Sequence, residues 1–265
     1  MRYSIDGVSL AYEEAGSGPA VLLVHGYPLN RNMWSPQRAA LAGAGFRVIT
    51  PDLRGFGESE APAEGYSMAR FADDLIALLD RLGIRRAAVG GMSMGGYVLL
   101  NLLERHPERL VAAMFLVTRA GADDDAGRSK RTIMAEQALA GQRGVVEETF
   151  ADLLFAEQTL EENPQLVDRV TSWMRQTDPQ GLAGGMLAMR DRPDYTERLP
   201  GFRIPALVIG AEKDRAVPVE QSRVLAAGIP GARRCLITGA GHMVNLERPD
   251  AFNECLLEFL QGLRL

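Results

Sequence analysis

The sequence predicts an α/β fold in which a mostly parallel, eight-stranded sheet carries helices on both faces, with a helical insertion between its middle strands. Three observations support this prediction. Short continuous apolar runs rich in Val, Ile and Leu recur along the chain, helical patterns separate them, and residues 121–199 carry helical patterns with no convincing strand. Alternation of strands with helices is typical of a parallel sheet covered on both faces.

The first two strands form a predicted antiparallel hairpin. Asp6-Gly7 favours the type I′ turn that joins two strands tightly, and apolar residues alternate with polar or small ones around it. The six later runs are continuous, which is typical of strands buried on both faces. They cover residues 20–24, 46–50, 87–90, 110–117, 206–209 and 234–237.

Three helical patterns accompany these strands. One begins at Ser67, a favourable N-cap, and ends at Gly83. Another follows Gly95 and ends at His106-Pro107, and the last begins near Pro249. The first and the last place their apolar residues on one face, as a helix packed against a sheet requires.

Residues 121–199 are predicted to cover the carboxyl ends of the strands, because the stretch is too long for a crossover and too periodic for a loop. Its helical patterns span residues 133–140, 145–155, 166–174 and 182–189. Trp173 and three methionines (Met174, Met186 and Met189) would suit an adaptable apolar lining for a substrate. The alternative is that these side chains form only the insertion's own small core.

Length and charge narrow the class of protein. A chain of 265 residues can bury a core without a disulfide or a metal. A formal net charge of -5 gives no reason to expect nucleic acid or an anionic membrane as a partner. No apolar run approaches a membrane span, and residues 1–7 lack the apolar segment of a signal peptide, so the expected compartment is the cytoplasm. The oligomeric state is left open.

The two cysteines, Cys235 and Cys255, both lie in apolar sequence. No CxxC or Cys/His cluster accompanies them, so a structural zinc site is not expected. We predict two buried thiols in a reducing compartment.

The strongest motif is Gly91-Met92-Ser93-Met94-Gly95, a G-x-S-x-G between a predicted strand and a predicted helix. Side chains at Gly91 and Gly95 would collide with the neighbouring strand and helix. The sharp turn exposes the Ser93 hydroxyl at the edge of the sheet, near a helix N-terminus that favours negative charge. These features predict that Ser93 is a nucleophile.

A serine hydroxyl needs a base, and the chain has only three histidines. His106 ends a helix far from the strand ends. His25 lies beside Gly26, where it is expected to hold a loop through side-chain hydrogen bonds. His242 lies on a glycine-rich loop after the last strand and is therefore the predicted general base.

The base needs a carboxylate that orients its ring. Asp214 follows the strand at 206–209, and the order Ser93, Asp214, His242 suits the motif. Glu212 on the same loop is an alternative, as are the three aspartates after the strand at 110–117: Asp123, Asp124 and Asp125.

The oxyanion of an acyl-transfer intermediate needs two hydrogen-bond donors. One prediction is the backbone N–H of Met94, the residue after the nucleophile. The other is the N–H of Tyr27, in the loop after the strand at 20–24. The same two residues, with Trp173, are the predicted substrate contacts.

Taken together, these motifs resemble the α/β-hydrolase superfamily. The matching stretches are His25-Gly26-Tyr27-Pro28, residues 52–59, Gly91 to Gly96, His106-Pro107-Glu108-Arg109, Asp214 with Pro218, and Gly239-Ala240-Gly241-His242. The resemblance implies the α/β-hydrolase fold, with core parts at 1–120 and 200–265 and a helical cap at 121–199. Related dehalogenases and epoxide hydrolases carry an aspartate where this chain has Ser93, which favours acyl chemistry here.

Among the serine members, the chain most resembles small carboxylesterases, enol-lactone hydrolases and cofactor-free haloperoxidases or perhydrolases. The resemblance implies a carboxylic-ester hydrolase that forms an acyl-enzyme with small, fairly apolar esters and needs no metal or organic cofactor. A lactonase or a C–C bond hydrolase with the same triad is an alternative. A non-catalytic ligand-binding protein on the same fold is an alternative of another class.

Overall fold

The computed structural model describes residues 1–263, apart from the side chains of Arg143 and Val145. Eight strands form one sheet in the order β1-β2-β4-β3-β5-β6-β7-β8, in which β1 and β2 are antiparallel to their neighbours and the rest run parallel. The predicted α/β-hydrolase fold is confirmed. The strands are β1 (Arg2–Ile5), β2 (Val8–Ala15), β3 (Ala20–Val24), β4 (Arg47–Pro51), β5 (Ala87–Met92), β6 (Leu110–Leu116), β7 (Ala206–Ala211) and β8 (Arg233–Ile237).

Eleven α-helices occur in the described part of the chain. They are α1 (Ser35–Gly43), α2 (Met68–Arg81), α3 (Met94–Arg105), α4 (Asp125–Leu139), α5 (Arg143–Leu154), α6 (Glu157–Glu162), α7 (Pro164–Arg175), α8 (Pro179–Arg190), α9 (Glu220–Gly228), α10 (Val244–Glu247) and α11 (Pro249–Gln261). Within residues 1–263 no helix has both the length and the apolar composition needed to cross a bilayer.

The local signals in the sequence act as expected. Asp6 and Gly7 both have positive φ (49° and 82°), as a type I′ turn requires. The Ser67 hydroxyl accepts a 3.0 Å hydrogen bond from Arg70 N–H at the start of α2. Gly83, at φ 67°, follows the end of that helix.

The sheet separates two apolar cores. In β3, Leu22 and Val24 pack into a core with α2 and α3, whereas Val21 and Leu23 pack into a core with α1 and α11. All four side chains are fully buried. Continuous apolar runs are therefore required in the central strands, because successive side chains point to opposite faces.

β8 departs from the prediction of a strand buried on both faces. It is the last strand of the sheet, Arg233 and Arg234 are exposed, and Leu236 is 40% exposed. An edge strand needs less apolar cover, and two charged side chains discourage pairing with another chain.

The prediction of two free buried thiols is wrong. Cys235 in β8 and Cys255 in α11 form a disulfide, and both residues are only partly buried. The reason is tertiary: α11 packs against β8 and brings the two Cα atoms to 6.5 Å, within bonding range for a disulfide.

The segment between β6 and β7 contains helices α4 to α8 and no strand among its described residues. The four predicted helical patterns overlap α4, α5, α7 and α8, and those at 133–140 and 145–155 each extend one residue beyond the helix. The short helix α6 was not predicted. We refer to residues 121–199 as the helical insertion.

Candidate active site

Ser93 lies at the turn between β5 and α3. Its φ of 53° and ψ of -114° are strained for a residue with a side chain. Two hydrogen bonds hold this conformation: Ser93 N–H donates to Leu116 O at 3.0 Å, and Thr118 Oγ1 donates to Ser93 O at 2.7 Å. The strand β6 therefore fixes the turn, and Ser93 remains partly exposed.

Three glycines leave room for this turn. A methyl group on Gly91 would collide with Gly95 O, and one on Gly95 would collide with Val24 O of β3. A methyl group on Gly96 would collide with the Thr118 side chain. The motif is thus required by the close approach of a helix start to two strands.

His242 and Asp214 are joined at the carboxyl ends of β8 and β7. His242 Nδ1 donates to Asp214 Oδ2 at 2.7 Å, and both residues are buried. Asp214 Oδ1 accepts hydrogen bonds from Ala216 N–H and Val217 N–H, both at 2.8 Å. With Nδ1 as donor, the lone pair of His242 lies on Nε2, which bonds to no protein group in residues 1–263.

Backbone hydrogen bonds tie the two loops that carry this pair. Glu212 N–H donates to Ile237 O and Lys213 N–H donates to Ala240 O, both at 2.9 Å. The separation of Asp214 and His242 is therefore set by main-chain contacts between adjacent loops, independently of their own side chains.

The alternative carboxylates are engaged elsewhere. Glu212 is exposed, and its Oε2 accepts from Gly239 N–H at 2.9 Å, a hydrogen bond that lowers the pKa of Glu212. Asp123 is bonded to arginines, and Asp124 caps α4 by accepting from Gly127 N–H. Asp125 is exposed in the first turn of α4.

The Tyr27 loop lies directly beside the Ser93 turn. A methyl group on Gly26 would lie 3.3 Å from Ser93 Cβ. In the described part of the chain, neither Tyr27 N–H nor Met94 N–H donates to a protein acceptor. The unpaired N–H groups of two buried residues beside a serine can donate hydrogen bonds to a negatively charged oxygen of a bound molecule.

As expected, His25 holds this loop through side-chain hydrogen bonds. The residue is fully buried. Its Nδ1 donates to Gly26 O at 2.9 Å, and its Nε2 accepts from Leu53 N–H at 3.0 Å. Gly26 O can only accept a hydrogen bond and Leu53 N–H can only donate one. These partners require a neutral ring with its proton on Nδ1. Burial lowers the pKa of His25, although Asp52 opposes the shift.

The Ser93 hydroxyl and His242 are not hydrogen-bonded in this structure. Among residues 1–263, Ser93 Oγ takes part in no hydrogen bond. Hydrogen bonds between a nucleophile and its base are often long or poorly aligned before substrate binds.

Sequence reasoning missed Glu247, a buried carboxylate that fastens the His242 loop to the helical insertion. Its Oε1 accepts from Gly241 N–H at 3.0 Å. Its Oε2 accepts from Ala156 N–H at 3.0 Å and from the Thr159 hydroxyl at 2.6 Å. The available signal was a lone acidic residue in the apolar stretch after His242.

The remaining predicted contacts lie at different depths. Met94 and Tyr27 are almost fully buried, and Tyr27 Oη donates to Leu182 O of α8 at 3.1 Å. Trp173 is partly buried in α7 and packs against the core that contains α1 and α11.

His106 ends α3, with Nε2 3.4 Å from Asp73 Oδ1. No cluster of three metal-ligating side chains occurs in the part of the chain described.

Comparison with known proteins gives a consistent picture. A family model for the alpha/beta hydrolase fold matches residues 19–249. A thermophilic esterase from Thermogutta terrifontis, solved with malate bound, superposes with a TM-score of 0.95 at 35% identity over 98% of both chains. The enol-lactonase from Burkholderia xenovorans LB400 has a TM-score of 0.92 at 31% identity over 99% of this chain and 100% of its own.

A curated relative carries a different activity name. Non-heme chloroperoxidase CPO-A1 of Kitasatospora aureofaciens is 32% identical over 267 residues, which cover 96% of this chain and 97% of the relative. Similar chains thus include esterases, a lactonase and a haloperoxidase. What they share with this protein is the fold, over nearly their full length. This chain belongs to the α/β-hydrolase family.

Proposed function

We propose that this protein is a serine carboxylesterase that acts on small esters through an acyl-enzyme. Ser93 is the nucleophile, His242 the general base and Asp214 the carboxylate that orients the base. The observation that carries the proposal is the His242–Asp214 pair, in which Nδ1 is bonded at 2.7 Å and Nε2 is left available. It lies at the same sheet edge as the strained Ser93.

The reaction follows from these groups. His242 Nε2 takes the proton of Ser93 Oγ as the oxygen attacks the ester carbonyl, and Asp214 stabilises the imidazolium. The oxyanion accepts hydrogen bonds from Tyr27 N–H and Met94 N–H. The alcohol leaves with the proton from His242. Water, deprotonated by His242, then attacks the acyl group and releases the acid and Ser93.

The helical insertion is proposed to act as a cap over this site, with core parts at 1–120 and 200–265; residues 264 and 265 lie outside the described residues. Tyr27 supports this arrangement, because its ring lies 5.3 Å from that of Phe150 in α5 and its hydroxyl bonds α8. Trp173 is proposed to contribute to the apolar lining that faces the acyl or alcohol group.

The test is hydrolysis of p-nitrophenyl esters of increasing acyl length by wild type, Ser93→Ala and a control, Ser172→Ala. Ser172 lies on α7, and within the described residues its hydroxyl bonds only the Arg169 carbonyl. We expect Ser93→Ala to lower kcat by roughly a thousandfold or more and Ser172→Ala to have no effect. A fluorophosphonate probe should increase the mass of wild type by that of one attached probe and leave the mass of Ser93→Ala unchanged.

Equal labelling of wild type and Ser93→Ala would overturn the nucleophile assignment. Absence of labelling in wild type would favour a non-catalytic, ligand-binding role. Labelling of Ser93 without ester turnover would keep the serine chemistry and reject the substrate class.

A lactonase is the second candidate, favoured by the TM-score of 0.92 with an enol-lactonase. The mechanism is unchanged, except that the alcohol formed on ring opening stays attached to the acyl chain, so water releases a single hydroxy acid from Ser93. Turnover of lactones far faster than that of linear esters of equal size would select this function. A peroxide-dependent halogenation assay tests the activity named for the chloroperoxidase relative.

A further inference from the structure

A cavity of about 220 Å³ lies between the helical insertion and two strand-end loops. Helices α4, α5 and α8 form one side of it, and Arg119 after β6 and Arg215-Ala216 after β7 form the other. Ala216 N–H is also a donor to Asp214. The cavity therefore begins next to the proposed catalytic carboxylate, on the side of the insertion.

The cavity also borders the Tyr27 loop. The ring of Phe150, a lining residue, lies 5.3 Å from the ring of Tyr27. The cavity therefore adjoins both the Tyr27 loop and the Asp214 loop, between which the substrate would lie in the proposed mechanism.

The lining carries an excess of positive charge. Four of the lining side chains are cationic, and Asp123 is the one carboxylate of this described lining. This local excess occurs in a chain whose formal net charge is -5. The four cations are Arg119, Lys130, Arg131 and Arg215.

Asp123 is already shared among three guanidinium groups. It is bonded to Arg119 and Arg131, and to Arg192 at 2.8 Å. Burial opposes its ionisation, but hydrogen bonds from Arg192 and Arg131 hold the pKa of Asp123 well below its usual range. Its two oxygens cannot fully satisfy three guanidinium groups that carry five donors each.

Two arginine donors in the lining lack a strong acceptor. Arg119 Nε is buried and has no hydrogen-bond partner within the described residues. Arg131 Nη1 faces the sulfur atoms of Met189 at 3.4 Å and Met186 at 3.7 Å, which are weak acceptors. Carboxylates match the geometry of arginine donors and often accept two parallel hydrogen bonds from one guanidinium group.

We propose that this cavity binds a carboxylate carried by the substrate, so that the natural ester or lactone is anionic. The proposal rests on the proposed esterase function and names its substrate class. Arg119 and Arg131 bind the carboxylate, and Phe150, Met134 and Met186 contact the short aliphatic chain that links it to the ester. Since water occupies about 30 Å³ in the liquid, the cavity holds only a few heavy atoms.

The test compares two esters of matched shape: p-nitrophenyl hydrogen glutarate, whose acyl chain ends in a carboxylate, and p-nitrophenyl 5-methylhexanoate, its neutral isostere. We expect wild type to favour the glutarate by about tenfold or more in kcat/KM, mainly through KM. Arg131→Met and Arg119→Met should each lower the ratio of the two kcat/KM values by about tenfold. Arg131→Lys should retain part of the preference.

The matched control is Arg128→Met. Arg128 lies on the same helix as Arg131, is exposed and pairs with Asp191 outside the cavity. It should leave the ratio unchanged. Ser93-dependent hydrolysis with no preference for the glutarate would overturn the carboxylate site and leave the esterase function standing.

A binding measurement separates failure of the two proposals. Glutarate is titrated calorimetrically into Ser93→Ala and into Ser93→Ala with Arg131→Met. Binding to the first protein and tenfold weaker binding to the second support the site even if no ester is hydrolysed. Absence of glutarate binding to Ser93→Ala would overturn the site.

Discussion

Two buried histidines at the same edge of the sheet differ in what their rings contact. Both ring nitrogens of His25 bond backbone groups, Gly26 O and Leu53 N–H. His242 bonds Asp214 through Nδ1, and its Nε2 has no partner among the residues that the structure describes. The exposed fractions do not distinguish them, since His25 is 0% and His242 2% exposed.

The hydrogen-bond partners of the ring, and not its burial, distinguish a structural histidine from a candidate base. A ring with both nitrogens bonded to backbone holds a loop and has no capacity left to move a proton. A ring with one nitrogen on a carboxylate and the other free can take a proton and be stabilised as the cation.

The largest expected effect is on the His242 side of this comparison. His242→Gln removes the base at similar volume, and Asp214→Asn disturbs the tautomer, so each should lower kcat by roughly 10⁴-fold or more. Steady-state ester hydrolysis is the measurement. Glu212→Gln, on the same loop, should retain most activity; a loss equal to that of Asp214→Asn would reassign the carboxylate.

On the His25 side, the expected effect is on stability. His25→Leu leaves Leu53 N–H buried without its acceptor, at a cost of about 1–3 kcal/mol, whereas Gly26 O keeps its hydrogen bond from Leu29 N–H. Urea unfolding should show this loss, while His242→Gln should change the free energy of unfolding by less than about 1 kcal/mol. Equal losses in the two variants would contradict the assigned roles.

The third prediction concerns how the His242 loop is held. Glu247→Gln has a single amide oxygen for three donors, so the loop should shift and kcat should fall roughly tenfold with little change in KM. Glu254→Gln, an exposed residue on α11, is the control. A rise in KM with unchanged kcat would instead place Glu247 in substrate binding.

The pH dependence of stability gives a further test of the role of His25. The pKa of His25 is lowered by burial from its ordinary value of 6.5, so the folded state stays neutral where the unfolded chain takes up a proton. The free energy of unfolding therefore decreases as pH falls from 6.5 toward the folded pKa, and it is unaffected by His25 well above pH 6.5. His25→Gln should remove this slope between pH 7.5 and 5.5.

The smallest effect is expected at the third histidine. His106 is partly exposed and faces Asp73 at 3.4 Å, a surface pair worth roughly 0–1 kcal/mol. His106→Gln should leave both ester hydrolysis and the urea midpoint close to wild type. A large loss of activity would mean that His106 takes part in catalysis and would contradict its exclusion as the base.

Much of the fold was predictable, because local rules apply to it directly. The Asp6-Gly7 turn, the Ser67 cap and the continuous run of β3 each depend on a few adjacent residues. The role of His25 followed from its place beside Gly26 at a strand end. Predictions for β8 and for the cysteines were wrong, because an edge position and a disulfide depend on which elements become neighbours.

The candidate site divides in the same way. The Ser93 motif, the order Ser93, Asp214, His242 and the exclusion of His106 could be read from the sequence, since strand ends of a parallel sheet meet at one edge. Glu247 and the excess of arginines around Asp123 could not. Their partners lie far away in sequence, as the bonds from Glu247 to Ala156 and from Arg192 to Asp123 show.

By itself, the sequence determined the class of fold, the turn at Ser93 and the residue types available for acid–base chemistry, because these follow from periodicity and short motifs. The tertiary structure decided which carboxylate meets His242, what holds that loop in place and where uncompensated positive charge collects. Hydrogen bonds and charge pairs are directional and short-ranged, so only the packing of distant segments can choose their partners.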